Sequence, residues 1–177
     1  MIRPIILANC LVKDNGKYLL VQEATDKVYG HINTHSKGKW TFPHGEVNKE
    51  ESVAEAAKRE LVEETGGKTN IVRLGTVVQG TLNNTIYLLS FVFYGEGFER
   101  LGNRLEEEIK TVEWFTLEEI LDLEKQGLAR DNVPLSKIIQ AVEENNGVKF
   151  IEWIWPDYVL DIFRLLEQGS TTKELKK

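Results

Sequence analysis

The segment over residues 45–67, GEVNKEESVAEAAKRELVEETGG, most strongly restricts how this chain can fold, because it places seven carboxylates beside only three cations. Ser52 and Glu55 form the S-x-x-E pattern of a capping box, which begins a helix. Gly66 is a typical residue immediately after a helix. We therefore predict a helix from about Val53 to Thr65.

Three acids of this predicted helix share one side, because successive residues are about 100° apart. They are Glu60, Glu63 and Glu64. Small apolar residues lie on the same side: Val53, Ala56 and Ala57. The acids should therefore face a sheet rather than water. Unit charges about 4 Å apart repel by about 4 kcal/mol at an effective dielectric constant near 20. A cation should lie among them.

Oxygen ligands of this kind are those that Mg²⁺ prefers, together with waters and phosphate oxygens. The i,i+3 and i,i+4 spacings let the three carboxylates converge on one point. We predict a Mg²⁺ site with Glu60 and Glu64 as direct ligands and Glu63 completing it, and we expect Mn²⁺ to substitute. A bound metal would let an acidic protein hold a polyphosphate.

The rest of the chain mixes strand and helix patterns, which predicts one α/β domain over residues 1–168. Apolar, β-branched runs predict strands, and a second capping box at Thr116 and Glu119 predicts another helix. We expect long loops over residues 24–39 and 95–108. We also expect a C-terminal helical extension at about 131–168 and a flexible tail over residues 169–177.

The composition excludes several classes of function. A net charge of −6 argues against binding to polymeric DNA or RNA. The single cysteine, Cys10, excludes an internal disulfide and favours a buried thiol in a reducing compartment, so we expect a cytoplasmic protein. No segment approaches the roughly 20 apolar residues that span a bilayer, so we expect no membrane insertion. The oligomeric state stays open.

The acidic segment resembles a known family signature, the Nudix box. The matching positions are Gly45, five residues, Glu51, seven residues, Arg59-Glu60-Leu61, one residue, Glu63-Glu64, one residue and Gly66. Gly67 stands where the family usually has an aliphatic residue. The preceding WTFPHG resembles the usual lead-in, with His44 in place of a glycine.

This resemblance implies the Nudix fold, a mixed sheet between helices, and hydrolysis of a small nucleoside diphosphate derivative. By the same resemblance, the main-chain carbonyl of His44 is a further metal ligand, and Glu51 pairs with Arg59 to hold the catalytic loop. The general base varies in the family. Our order of candidates is Glu108, Glu107 and Glu60, although the acidic run before Ile109 is also typical of a solvated loop.

Aromatic and histidine side chains near the box are candidates for substrate binding. They are Trp40, Tyr87 and the imidazole of His44. Packing in the core, or stabilisation of a loop in the case of His44, is the simpler interpretation of each. Two other functions compete with hydrolysis of a small nucleotide: a nucleotide sensor that has lost turnover, and an RNA-end pyrophosphohydrolase, which the acidity disfavours.

Overall fold

The computed structural model describes residues 4–29, 32–82, 85–104, 107–144 and 147–154. The helices of this part are α1 (Val53–Thr65), α2 (Leu117–Lys125) and α3 (Leu135–Glu143). Its strands are β1 (Ile5–Asp14), β2 (Lys17–Glu23), β3 (Val28–Tyr29), β4 (Ile32–Asn33), β5 (Trp40–Thr41), β6 (His44–Glu46), β7 (Gly67–Leu82), β8 (Thr85–Arg100), β9 (Ile109–Phe115) and β10 (Lys149–Ile154). Within these residues, no helix is both long enough and apolar enough to cross a bilayer.

One mixed sheet organises the molecule. Its strand order is β10-β7-β8-β1-β2-β5, with β6 paired to β1 and β9 paired to β2. The β1–β8 and β7–β10 pairs are parallel, and the other pairs are antiparallel. Parallel neighbours need long connections, which here include helices. The predicted α/β class is confirmed.

Helices cover both faces of this sheet, as the alternation along β1 shows. Leu7 and Leu11 belong to the large apolar cluster that contains residues of α3. The intervening Ala8 packs with Ala56 and Ala57 of α1. Successive side chains of a strand point to opposite faces, so α1 and α3 lie on opposite sides of the sheet. The predicted arrangement of a mixed sheet between helices is confirmed.

The predicted capping box positions α1 as expected. The Ser52 hydroxyl accepts a hydrogen bond from the Glu55 N–H at 3.2 Å, and the Glu55 carboxylate accepts one from the Ser52 N–H at 2.8 Å. Gly66 follows the helix with φ +72°, in the left-handed region that glycine adopts without a steric penalty. The helix spans Val53–Thr65, and the prediction is confirmed.

The two expected loops are partly wrong. Residues 28–33 contain the short hairpin of β3 and β4, and the Lys27 carbonyl accepts a hydrogen bond from the Thr34 N–H at 2.8 Å. Strand β8 continues to Arg100, because the beginning of β7 pairs with residues 96–100. Residues 96–100 are in a strand because they pair with a segment distant in sequence, which the local sequence did not indicate.

The expected helical extension is correct for α3 and wrong for residues 149–154. Those residues form β10, which adds in parallel to the free edge of β7. Ile151 is 4% exposed and its neighbour Phe150 is 66% exposed, which is the alternation of a strand. The second predicted helix, near residues 156–166, and the tail lie outside the described residues. The single domain over residues 1–168 stays a prediction.

Candidate active site

The buried side of α1 carries acids, as predicted. Glu60 is 6% exposed and Glu64 is fully buried, beside the buried Ala56 and Ala57. Buried carboxylates are costly unless cations or hydrogen-bond donors surround them. The contacts of each acid therefore define the site.

Glu64 lies between a lysine and the backbone of β6. One carboxylate oxygen accepts from the Lys27 ammonium at 2.8 Å, and the other accepts from the His44 N–H at 3.0 Å. Burial lowers the pKa of Lys27, but the combined interactions with Glu64, Tyr29 and Glu23 raise the pKa above its ordinary value. Lys27 is therefore charged, and the pair is one of opposite ions.

Arg59 neutralises the other acids from the side of the helix. Its Nε and Nη2 bind the Glu51 carboxylate at 3.0 and 2.6 Å, and its Nη1 binds Glu60 at 2.5 Å and Glu63 at 3.0 Å. Nη2 also donates to the Glu46 carbonyl at 3.0 Å. The hydrogen bond from Arg59 lowers the pKa of Glu51 to about 2. Arg59 thus joins the loop before α1 to the helix.

The acids approach β6 closely because Gly45 has no side chain. A Cβ at this position would lie 2.0 Å from a Glu60 carboxylate oxygen. Gly45 pairs with Ala8 on the face that α1 covers, and the preceding His44 pairs with Asn9, whose side chain faces the other way. The strand therefore presents a glycine to the acids and an imidazole to the opposite face.

The His44 imidazole is buried and neutral. Its Nδ1 lies 2.9 Å from the Phe42 carbonyl, an acceptor, so Nδ1 carries the proton and Nε2 accepts. The Tyr29 hydroxyl donates to Nε2 at 2.6 Å, and an Arg130 guanidinium nitrogen also contacts it. Burial, followed by the positive charges of Arg130 and Lys27, lowers the pKa of His44. These contacts join β6 to Tyr29 of β3 and to Arg130.

A buried ion cluster behind His44 was not indicated by the sequence. Glu23 is fully buried, 3.2 Å from Arg130, which also lies 3.2 Å from Asp131 and 4.9 Å from the centre of the Tyr29 ring. Burial raises the pKa of Glu23, and the Arg130 charge opposes that shift. Like Lys27, these residues are far from the box in sequence, and no local pattern marks them.

Two recesses meet at Tyr29. We call the first the acidic depression; it is lined by Asp26, Lys27, Val28, Tyr29, Gly45, Glu46, Glu60 and Glu108. We call the second the apolar pocket; it lies between the sheet and α3, on the opposite face from α1. Its lining includes Leu7, Asn9, Tyr29, His44, Val78, Leu88, Ser90, Val92, Arg130, Asp131 and Ile138.

Of the remaining candidate residues, one lines the acidic depression. Glu108 lines the acidic depression, with a carboxylate oxygen 4.0 Å from the Lys27 ammonium, and its neighbour Glu107 is exposed. Trp40 is 7% exposed and packs edge-on against Phe115 with ring centres 4.8 Å apart. Tyr87 is half-buried against the same apolar cluster. Of the three substrate-binding candidates, only His44 lines the apolar pocket.

The acid set has the donor chemistry that a divalent cation requires. Glu60 and Glu63 both bind the same Arg59 nitrogen, so the two carboxylates already converge on one positive centre. In the described part of the chain, no three acidic, imidazole or thiolate side chains are grouped as a metal site. Arg59 and Lys27 bind carboxylate oxygens of the acid set. The residues fit a hard cation in charge and ligand type.

Comparison with known proteins identifies the family of this chain. The NUDIX domain model matches residues 3–137. A phosphatase of Escherichia coli K12, NudJ, is 31% identical over 123 residues, which cover 68% of this chain and 74% of the relative. The chain belongs to the NUDIX family of hydrolases, whose members generally use divalent cations.

Solved structures show the same fold. A NUDIX hydrolase from Nitrosomonas europaea has a TM-score of 0.66 and 25% identity, over 82% of this chain and 93% of that one. The NUDIX domain of Shewanella oneidensis NrtR, solved with ADP ribose, has a TM-score of 0.61 and 16% identity, over 78% and 87% of the two chains. The resemblance to the Nudix family is confirmed.

Proposed function

We propose that this protein hydrolyses the pyrophosphate bond of a small nucleoside di- or triphosphate derivative, with Mg²⁺ as the cofactor. The observation that carries the proposal is the convergence of box carboxylates beside an open depression that adjoins an apolar pocket. A diphosphate group held through a cation would lie in this depression.

The acids Glu60, Glu63 and Glu64 would hold the cation, with the His44 carbonyl as a further ligand. When bound, a divalent cation neutralises phosphate charge and makes water more acidic. Lys27 lines the same depression and supplies a fixed positive charge for a phosphate oxygen. Arg59 and Glu51 position the loop that bears the glycine of β6.

Glu108 is our first candidate for the group that takes the proton from the attacking water. Its carboxylate faces the depression near Lys27, and 60% of the side chain is exposed, so water reaches it. Glu107 and then Glu60 follow in that order. Glu60 ranks last because Arg59 already binds its carboxylate.

The relatives support the substrate class. NudJ is named a phosphatase, and the NrtR domain binds ADP ribose, a nucleoside diphosphate derivative. An intact acid cluster weighs against a sensor without turnover. The net charge of −6 weighs against an RNA-end pyrophosphohydrolase. A cytoplasmic location stays a prediction from the single cysteine.

Replacement of Glu64 tests the proposal. We expect Glu64→Gln to lower kcat by about 1000-fold, because several kcal/mol of charge stabilisation depend on the ligand set. Glutamine keeps an oxygen that can accept from the His44 N–H but removes the charge that compensates Lys27, so the thermal unfolding of the variant is measured beside its turnover. Turnover is measured with Mg²⁺ or Mn²⁺ on nucleotide sugars, ADP-ribose, dinucleoside polyphosphates, oxidised deoxynucleotides and capped RNA.

Glu50→Gln is the matched control, because Glu50 is exposed and precedes the helix. It should retain wild-type kcat and thermal stability. Wild-type rates in Glu64→Gln would contradict the metal assignment. Binding of these nucleotides by the wild type without turnover of any of them would instead favour the sensor.

A further inference from the structure

A third recess, which we call the arginine cleft, lies on the α1 side of the sheet. Its volume is about 440 Å³, within the roughly 300–1,000 Å³ that is typical of small-molecule sites. Its aromatic lining, Phe98 and Trp114, packs in the same cluster as Leu61 of α1. The described residues that line the cleft include Arg100 and Arg104 but no acid, and none of them lines the acidic depression. The two recesses are therefore separate.

Backbone contacts hold the arginine-bearing segment against the end of α1. The Gly66 carbonyl accepts hydrogen bonds from the Leu101 N–H at 2.8 Å and from the Gly102 N–H at 3.1 Å. A Cβ at Gly66 would lie only 2.9 Å from the backbone nitrogen of Arg104. Because its last carbonyl is occupied in this way, the helix presents less negative charge to the cleft.

Most hydrogen-bond donors of the two arginines are unused. Arg104 Nη2 donates to the Lys110 carbonyl at 3.1 Å, and Arg100 Nε makes a long contact of 3.4 Å with the Gly102 carbonyl. A guanidinium group has five N–H donors. Within the described ranges, neither guanidinium forms an ion pair with a carboxylate. Both side chains therefore have charge and donors left for a ligand.

These two charges are unusual in a chain with a net charge of −6. The guanidinium groups at the candidate active site are compensated, since Arg59 binds Glu51 at 2.6 Å and Arg130 lies 3.2 Å from Glu23. The acid that precedes Arg100 in the sequence is exposed and binds a lysine at 3.0 Å. Two cations without an acid in one recess attract an anion.

The chemistry of the cleft favours a phosphate group among anions. A guanidinium fork matches the spacing of phosphate oxygens, and two forks can share a group that has three terminal oxygens. A phosphate monoester also carries nearly two negative charges at neutral pH. The Phe98 and Trp114 rings, edge-on with centres 5.5 Å apart, offer apolar surface to the uncharged part of such a molecule.

We propose that the arginine cleft binds a small phosphate monoester, with Arg100 and Arg104 on its phosphate group and the aromatic rings against its uncharged part. The protein itself supplies the positive charge, so this binding needs no divalent cation. The site is additional to the proposed reaction, because it uses none of the acids of the box.

Titrations in the presence of EDTA measure this binding without turnover. Inorganic phosphate, AMP and adenosine are added to the full chain at about pH 7.5, where the phosphate group is doubly charged. Affinities are read from ¹H–¹⁵N spectra that include the arginine Nε–H signals. AMP should bind more tightly than inorganic phosphate, and adenosine should not bind measurably. The signals of Arg100 and Arg104 should shift, and that of Arg59 should not.

Two substitutions test the arginines. Arg100→Met and Arg104→Met should each weaken AMP binding by about 10-fold, and the double variant by about 100-fold, because each change removes charge-assisted hydrogen bonds. Lys58→Met is the matched control, because it removes one positive charge from an exposed position of α1 and should leave the affinity unchanged. Thermal unfolding shows that each variant is folded.

Equal AMP affinities in the wild type and the double variant would overturn the proposal, as would adenosine binding as tightly as AMP. Equal affinities for AMP and inorganic phosphate, both lost in the double variant, would uphold the phosphate site and overturn the role of the aromatic rings. Tighter binding of a single-stranded RNA than of AMP would overturn the assignment to a small molecule.

Discussion

The residues of the candidate site come from both near and distant parts of the chain. Glu60, Glu63 and Glu64 follow from helical spacing within one segment, because a helix places residues three and four apart on one side. Lys27 is 37 residues from Glu64 and reaches it only through the fold. Arg130 is 86 residues from His44, so no local pattern indicates their contact.

Gly45 gives a sharp test of the close approach between α1 and β6. We expect Gly45→Ala to lower kcat by about 100-fold or more, because its Cβ would lie 2.0 Å from a Glu60 oxygen and displace that carboxylate. Gly102→Ala is the control, since no atom lies within 4 Å of the added carbon. Steady-state kinetics of both variants check this, and an unchanged kcat in Gly45→Ala would refute it.

Among the elements, the helices were easier to predict than the strands. Each capping box spans only four residues, and the two boxes position α1 and α2 through local hydrogen bonds. The ends of β8 and the existence of β10 depend on partners in β7. Pairing of that kind cannot be deduced from a short stretch of sequence, because it depends on which edge is free.

The ion pair between the Arg59 guanidinium and the Glu51 carboxylate predicts that the stability of the fold depends on pH. The pKa of Glu51 in the folded protein is about 2, below its ordinary 4.5. The bond therefore stabilises the fold above about pH 4.5, and this stabilisation is lost as the pH falls towards 2. We expect Arg59→Met to lower the free energy of unfolding by about 1–3 kcal/mol at pH 7.

Urea denaturation from pH 7 to pH 2 measures this effect. The difference between the wild type and Arg59→Met should narrow as Glu51 becomes protonated. Lys58→Met, an exposed change on the same helix, should unfold like the wild type throughout. A difference that is constant with pH would show that Arg59 stabilises the fold by packing alone.

Across the whole molecule, the sheet extends beyond the region that matches the family. That match ends at residue 137, yet β10 continues the sheet at the edge of β7. The α/β class was predictable from the mixture of strand and helix patterns, and the resemblance to the Nudix family implied helices on both faces of the sheet. The order of the strands was not, since it pairs residues as far apart as Tyr18 and Phe115.

Ile151 tests whether β10 belongs to the core. It is 4% exposed, so Ile151→Ala should lower the free energy of unfolding by about 2–4 kcal/mol through loss of buried hydrocarbon. Its neighbour Phe150 is 66% exposed, and Phe150→Ala should change that free energy by less than about 0.5 kcal/mol. Equal effects in urea denaturation would contradict the position of β10.

The pleat of β6 has a consequence for how this enzyme can vary. Gly45 and His44 are adjacent, so the side of β6 that faces the acids and the side that faces the apolar pocket are one peptide unit apart. An insertion or deletion of one residue before Gly45 would exchange the two faces of β6. The imidazole would then lie against Glu60, and glycine, which has no side chain, could not contact Tyr29. Both faces therefore depend on one alignment of β6, and we expect changes of chain length to be tolerated only outside this short strand.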